Sequence, residues 1–304
     1  MLGYFGPAGT FTHQALLTIS DAEAVPYATV GQAVAAVRAG EIEAALVPIE
    51  NSVEGGVSAT LDILASGRRL VITKEVLLPV QFNLYARPGT SIDQVRRVLT
   101  HPHSAAQTRG WMASHLPEAV VTEGGSNAAS AQEVADPESR YDAAICGQIA
   151  GEMYGLVPVA TEIADNASAV TRFVLVSRPT EPTQPTGADK TTLVAYMHTD
   201  RAGALLEILD QFSNRGVSLS RIESRPTKTG LGNYCFSIDA EGHMREPRLA
   251  EAMLGLHRIC ADVVFLGSYP RADGVRTQVA RGFTDADFAA AKEWYATLVH
   301  PEDD

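Results

Sequence analysis

The chain has 304 residues, 45% of them hydrophobic and 20% charged, with a formal net charge of −12. That length supports two domains with sizeable cores. The acidic balance argues against nucleic-acid and membrane-surface partners, because phosphate surfaces call for clustered Lys and Arg. It also leaves any anionic ligand to be held by local donors rather than by the overall field.

Over residues 1–178 short apolar runs alternate with helical patterns. Strands are expected at 2–5, 44–47, 71–78, 81–86, 98–100, 120–122, 143–146 and 173–176. Val30, Val34 and Val37 recur at helical spacing and stop at Gly40, a natural C-terminal cap. Helices are also expected over 104–116, with Ser104 as its N-cap, and over 126–135. This alternation predicts a mainly parallel sheet with crossover helices. The apolar run 71–86, broken at Pro79, reads as a crossover between two α/β lobes, around 75–86, with the chain returning near 160–173. The cleft between such lobes is the default ligand site.

Residues 179–187 hold three Pro and three Thr, which favours an extended linker over 179–190. Beyond it the pattern becomes strand (192–197), helix (203–214), strand (217–223), strand (233–240), helix (248–259) and strand (263–269). That βαββαβ order is the ferredoxin-like plan. Its first helix presents Leu205, Ile208, Leu209 and Phe212 on one face and ends at Gly216. The tail, 271–304, carries Phe288, Trp294, Tyr295 and Leu298 and reads as a short docking helix. Cys146, Cys235 and Cys260 are widely spaced in apolar settings, so they read as core residues in a reducing cytosol. No basic-then-apolar leader and no apolar run of roughly 20 residues is present, which points to a cytoplasmic chain.

Five polar segments stand out. Gly6-Pro7-Ala8-Gly9-Thr10-Phe11 follows the first strand and opens a helix, so it is either a tight turn or an anion-binding helix start; it lacks the Gly-Lys-Ser/Thr ending of a P-loop. Pro48 to Gly56 follows the strand at 44–47, beyond whose carboxyl end ligands of open α/β sheets lie; Glu50, Asn51 and Ser52 there offer an acceptor, an amide and a hydroxyl, or else a helix cap. His101-Pro102-His103-Ser104, with Gln107 one turn on, lacks the third ligand of a zinc site. Gly124-Gly125-Ser126-Asn127-Ala128-Ala129 opens another helix. Thr171-Arg172-Phe173, behind the loop Asp165 to Ser168, sets a hydroxyl, a cation and a ring at a strand entrance; these suit a small anionic ring compound or are plain strand-edge residues. Neither a Gly-x-Ser-x-Gly elbow nor a dinucleotide fingerprint occurs.

Taken in order, Gly6 to Phe11, Val47-Pro48-Ile49-Glu50-Asn51-Ser52, His101-Pro102 with Gln107, and Thr171-Arg172-Phe173 resemble the prephenate dehydratase family. Gly203 to Leu209 and Glu223-Ser224-Arg225-Pro226 resemble its phenylalanine-sensing ACT domain. Two departures are Ala105-Ala106, where the family commonly has a leucine, and Ser126 to Ala129 in place of a Ser/Thr-rich turn. The resemblance implies an α/β two-lobed, type II periplasmic-binding-protein-like catalytic domain (1–178), the linker, an α+β ferredoxin-like ACT domain (191–270) and the tail. It implies a monofunctional carbon–oxygen lyase that turns prephenate into phenylpyruvate, without cofactor or metal. Thr171 is then the catalytic residue. Thr10, Phe11, Asn51, Ser52, Ser104, Gln107, Ser126, Arg172 and Phe173 contact substrate, with Glu50 structural. Phenylalanine is expected at Gly203, Ala204, Leu205, Glu223, Ser224, Arg225 and Pro226, between subunits of a homodimer or homotetramer. Arogenate dehydratase and a non-catalytic amino-acid sensor are the alternatives.

Overall fold

The computed structural model describes residues 1–199, 201–227 and 234–299. In chain order the strands are β1 (Leu2–Phe5), β2 (Ala24–Tyr27), β3 (Ala44–Asn51), β4 (Gly55–Gly56), β5 (Val71–Pro79), β6 (Asn83–Ala86), β7 (Arg97–Thr100), β8 (Val120–Glu123), β9 (Ala143–Cys146), β10 (Val157–Ala160), β11 (Val170–Ser177), β12 (Asp189–Tyr196), β13 (Leu219–Pro226), β14 (Tyr234–Glu241) and β15 (Asp262–Pro270). The helices are α1 (Phe11–Leu17), α2 (Val30–Ala39), α3 (Ser58–Leu64), α4 (Pro102–Gln107), α5 (Arg109–His115), α6 (Asn127–Ala135), α7 (Gln148–Met153), α8 (Ala204–Ser213), α9 (Pro247–Ile259) and α10 (Asp285–Val299). Two compact units form: Met1–Thr60 with Val76–Val174, and Leu61–Glu75 with the described chain from Leu175 onward.

The first unit is built on two sheets. One runs β2-β1-β3-β11-β5, with β4 on β3; the other runs β10-β6-β9-β7-β8. In the first, β1 pairs in parallel with β2 and β3. The second is mixed: β7 is parallel to β8 and β9, whereas β6 is antiparallel to β9 and β10. The expected mainly parallel arrangement therefore holds only in part. Besides the two-residue β4, two strands, β2 and β10, escaped the sequence reading. Each contains a proline and each lies at a sheet edge, where a missing N–H leaves no ladder bond unmade. Val30, Val34 and Val37 are buried as their spacing predicts, and Gly40 is the left-handed cap.

The helix expected over 104–116 is two helices. Thr108 interrupts it, its hydroxyl donating to Ser104 O at 2.8 Å. The start of α5 is capped from a distance, because Asp165 accepts from Gly110 N (2.8 Å) and Trp111 N (2.9 Å). His101, not Ser104, is the N-cap of α4. Ser104 is a buried residue inside the helix.

The second unit contains the four-stranded sheet β13-β14-β12-β15, in which β12 is antiparallel to β14 and β15 and β13 to β14, with α8 and α9 in the expected βαββαβ order. Alternate residues sort by face. Leu193, Ala195, Phe236, Ile238 and Ala240 join Ile208, Phe212, Leu249 and Leu256 in one apolar core. Thr192, Ser237 and Asp239 fall on the other face, where Asp239 takes the Arg221 guanidinium at 2.9 Å and the Thr192 hydroxyl at 2.7 Å. The face of α8 is narrower than expected: Ile208 and Phe212 are buried, but Leu205 is exposed. The tail forms α10, which packs on α9. Asn233, expected in the third strand of this domain, and residues 300–304 of the tail lie outside the described residues. Cys146, Cys235 and Cys260 are all free and buried. Among the described residues no helix is long and apolar enough to cross a membrane.

Candidate active site

β3 and β11 lie side by side, so the turn after Asn51 meets the start of β11. Ser52 fastens them in both directions: its N–H donates to Val170 O, and its Oγ accepts from Val170 N, each at 2.9 Å. Asn51 Oδ1 accepts from Val53 N (2.8 Å) and Glu54 N (3.2 Å). Two backbone donors on one atom identify it as the oxygen, so the amide nitrogen faces the other way. That nitrogen donates to Thr171 Oγ1 at 2.8 Å. A hydroxyl that accepts there keeps its own hydrogen for another partner.

Neighbours on a strand face opposite sides. Arg172 is accordingly turned away from Thr171; it is buried and its Nη1 lies 3.4 Å from Glu50 Oε2. Glu50 was expected to brace its own loop, and its carboxylate instead meets Arg172 on the neighbouring strand. Phe173 returns to the Thr171 side but is only 2% exposed, a core residue at the foot of the site.

On the second sheet, β7 delivers α4. Asn127 Oδ1 gathers the Ser104 hydroxyl (2.9 Å), the Thr100 hydroxyl (3.2 Å) and His101 N (3.3 Å). Ser104 thus spends its hydrogen within the protein. His101 Nδ1 accepts from His103 N at 3.3 Å. Burial, and then the neighbouring His103, pushes the His101 imidazole below its ordinary value, which suits that acceptor role. Glu54 reaches this helix, its carboxylate bonding His103 Nδ1 and lying 3.4 Å from Gln107 Nε2. Gln107 Oε1 is buried without a hydrogen-bond partner. His101 and His103 stack loosely at 4.9 Å, and among the described residues no group of three His, Cys, Asp or Glu could hold a metal ion.

The loop before α1 is organised from within. Thr10 Oγ1 accepts from His13 N (3.3 Å) and lies 3.0 Å from Pro7 O as donor, so its side chain serves as the helix cap. Gly9 has φ +86°, and an added Cβ would come within 3.3 Å of Ala150 Cα, so only glycine fits without strain. Its N–H donates to His13 Nδ1 at 3.1 Å, while His13 stacks on Tyr4 at 4.8 Å. Phe11 sits edge-on to Phe82 at 5.6 Å. Ser126 Oγ accepts from Ala129 N at 3.0 Å as the cap of α6.

The residues expected to sense phenylalanine fall in two groups within the second unit. Gly203, at φ +86°, is the N-cap of α8; Ala204 lines a cavity of about 280 Å³ with Met197, His198, Arg201 and Cys260. Arg225 and Pro226, near the end of β13, line a different pocket of about 100 Å³ with Asp62, Tyr196 and Cys235. Arg225 is held there by Asp62 Oδ1, through Nε at 3.1 Å and Nη2 at 2.9 Å.

Sequence reasoning missed Asn127, Asp165 and Glu54 as organisers. Asn127 and Asp165 were inside segments already marked as polar, but their partners are more than twenty residues away.

Set against known proteins, residues 2–181 match the family described as prephenate dehydratase, and residues 191–258 match the ACT domain. A protein of Amycolatopsis methanolica named prephenate dehydratase is 46% identical over 304 aligned residues, covering 99% of this chain and 98% of its own. The structure of prephenate dehydratase from Arthrobacter aurescens in complex with L-Phe superimposes with a TM-score of 0.93 at 51% identity, covering 98% of this chain and 99% of that one. A structure described as GqqA, a novel type of quorum quenching acylase, gives 0.80 at 28% identity, covering 88% and 97%.

Proposed function

Because the chain belongs to the prephenate dehydratase family, we propose that it converts prephenate to phenylpyruvate in phenylalanine biosynthesis, with Thr171 assisting departure of the ring hydroxyl. The observation that carries this reading is the Asn51 amide on Thr171 Oγ1, which leaves the hydroxyl hydrogen available.

In the reaction the ring C–OH bond and the bond from ring to carboxylate both break. The electron pair of the second enters the ring, carbon dioxide leaves, and the departing hydroxide takes one proton to become water. No electrons are exchanged with a cofactor. Aromatisation supplies the driving force, so the protein has to orient the dianion and stabilise the leaving oxygen. A threonine hydroxyl is a weak acid, so Thr171 acts by donating a hydrogen bond to developing charge rather than by full proton transfer. Gln107 Nε2 and the backbone N–H groups around Thr10 and Ser126 are the local donors for the carboxylates, which a chain of net charge −12 needs. Ser52 keeps the β3–β11 junction closed beneath them.

We assign residues 1–178 to catalysis, 179–190 to the linker, 191–270 to the ACT domain and 271–304 to the tail. The ACT domain binds L-phenylalanine through Gly203, Ala204, Leu205 and Glu223 to Pro226, completed by a second subunit in a homodimer or homotetramer. The effector named with the Arthrobacter aurescens structure supports this reading, as does the separation of the two groups into different pockets of one chain. The enzyme works in the cytoplasm.

One assay tests the reading: phenylpyruvate formation from prephenate, with and without L-phenylalanine, by wild type and Thr171→Ala. Turnover that Thr171→Ala abolishes supports it. Faster turnover of arogenate would move the assignment to that substrate. An inactive wild type that still binds phenylalanine would leave a sensor.

A further inference from the structure

We propose that Glu54 is a built-in stand-in for the substrate carboxylate, occupying in the free protein the side-chain donors on α4 that the substrate takes over. The inference rests on the prephenate dehydratase reading and names a residue that sets affinity and anion selectivity at that site.

Local donors have to gather a dianion in a chain of net charge −12. On α4 two side-chain donors, His103 Nδ1 and Gln107 Nε2, are already engaged by one carboxylate of the chain itself. That carboxylate comes from the other sheet. Glu54 stands between Asn51 and the two-residue strand β4, its N–H bonded to Asn51 Oδ1. The backbone is therefore anchored whichever way the side chain points. With 36% of its side chain exposed, Glu54 has room to swing out. Gln107 also carries a buried acceptor, Oε1, with no hydrogen-bond partner.

The exchange is balanced in charge. One carboxylate replaces another on the same donors, so His103 and Gln107 keep an anionic partner throughout. A neutral ligand of the same shape would have to displace a charge-assisted contact and return a weaker one. Holding the site in this occupied state lowers apparent affinity in proportion to the fraction that is free, about tenfold if one molecule in ten is open. Burial, and then His103, pushes the His101 imidazole below its ordinary value, against the pull of Glu54. Glu123, at the end of β8, is the other carboxylate whose charge reaches His101.

The test is Glu54→Gln in the full chain, which keeps the shape and removes the charge. Its KM for prephenate is expected to fall about threefold to tenfold while kcat moves much less, and its affinity for phenylpyruvate, measured by calorimetry, should tighten in parallel. Glu41→Gln, an exposed acid after α2 outside the site, should leave KM where it was, separating a local exchange from a general charge effect. In crystals with phenylpyruvate the ligand carboxylate should lie on Gln107 Nε2, with Glu54 turned away. A KM that rises or stays level in Glu54→Gln, or a ligand bound with Glu54 still on His103 and Gln107, overturns the proposal. Failure of wild type to turn over prephenate overturns the function instead, and the phenylpyruvate affinities still decide the role of Glu54.

Discussion

Asn51 Nδ2 and Thr171 Oγ1 meet at 2.8 Å although 120 residues separate them in the chain. They meet because β3 and β11 are neighbours in one sheet and Ser52 pins the junction at Val170. The contact has a polarity: the amide donates, so the hydroxyl hydrogen is directed elsewhere.

Reversing that polarity should cost activity without costing the fold. Asn51→Asp supplies an acceptor where the amide donated, and the Thr171 hydrogen would turn toward it. A fall in kcat of about 10²-fold or more is expected, similar to Thr171→Ala, whereas Thr171→Ser should retain most of kcat. Steady-state kinetics with circular dichroism as a folding control checks the set, and near wild-type kcat in Asn51→Asp would remove the orienting role.

A second prediction concerns stability. Lys190 Nζ lies 2.9 Å from Glu75 Oε2 with side chains 11% and 1% exposed, and Glu75 Oε1 also accepts from Ala272 N at 2.9 Å. Removing one partner leaves a buried charge uncompensated, so Lys190→Ala or Glu75→Ala should destabilise by about 3–5 kcal/mol. The double change to Met at both positions should recover most of that loss. Thermal unfolding of the four proteins would reveal it, and additive losses in the double variant would contradict it.

The histidines set an acid limit. Burial pushes His13, His101 and His243 below the ordinary value of 6.5. A lowered value means that folding disfavours the proton, so the unfolded chain binds more of them in acid. The stability these groups contribute is full above pH 6.5 and drains away as the pH falls through their lower folded values. His243 feels Asp189 and Glu246, which oppose the shift, and Arg245, which adds to it; its Nδ1 accepts from Arg245 N at 3.1 Å. The unfolding midpoint should therefore drop as pH is lowered from 6.5 toward 5. A His243→Gln variant should show a shallower decline over that range, and an equally steep one would exclude His243 as a contributor.

Effector binding should depend on one backbone angle. Gly203 caps α8 at φ +86°, where an L side chain costs about 1–2 kcal/mol. Gly203→Ala should fold and turn over prephenate but bind L-phenylalanine at least tenfold more weakly by calorimetry. Unchanged affinity would place the effector elsewhere.

Much of the architecture was readable from local signals. Val30, Val34, Val37 and Gly40 announced α2, and the βαββαβ order announced the second unit, because periodicity and caps act over one or two turns. The break at Thr108 was not readable, because the group that starts α5 afresh is Asp165, some fifty-five residues on. The site followed the same division. Asn51, Thr171 and Gln107 were named from their motifs; the first two meet directly, and Glu54, three residues after Asn51, reaches Gln107. Arg172 was named too, yet strand alternation turns it to Glu50. Leu205 was placed on the apolar face by its spacing, yet it is exposed while Ile208 and Phe212 are buried.

The order of residues along the chain was enough for most element types and for the family, which depend on patterns carried by near neighbours or by motifs. Folding in three dimensions decided which way each group points and what it spends its hydrogens on. Ser104 gives its hydrogen to Asn127, Thr171 keeps its own, and Glu54 reaches across to α4. Hydrogen-bond polarity depends on partners that lie far off in the chain, and only the tertiary fold brings those partners within about 3 Å.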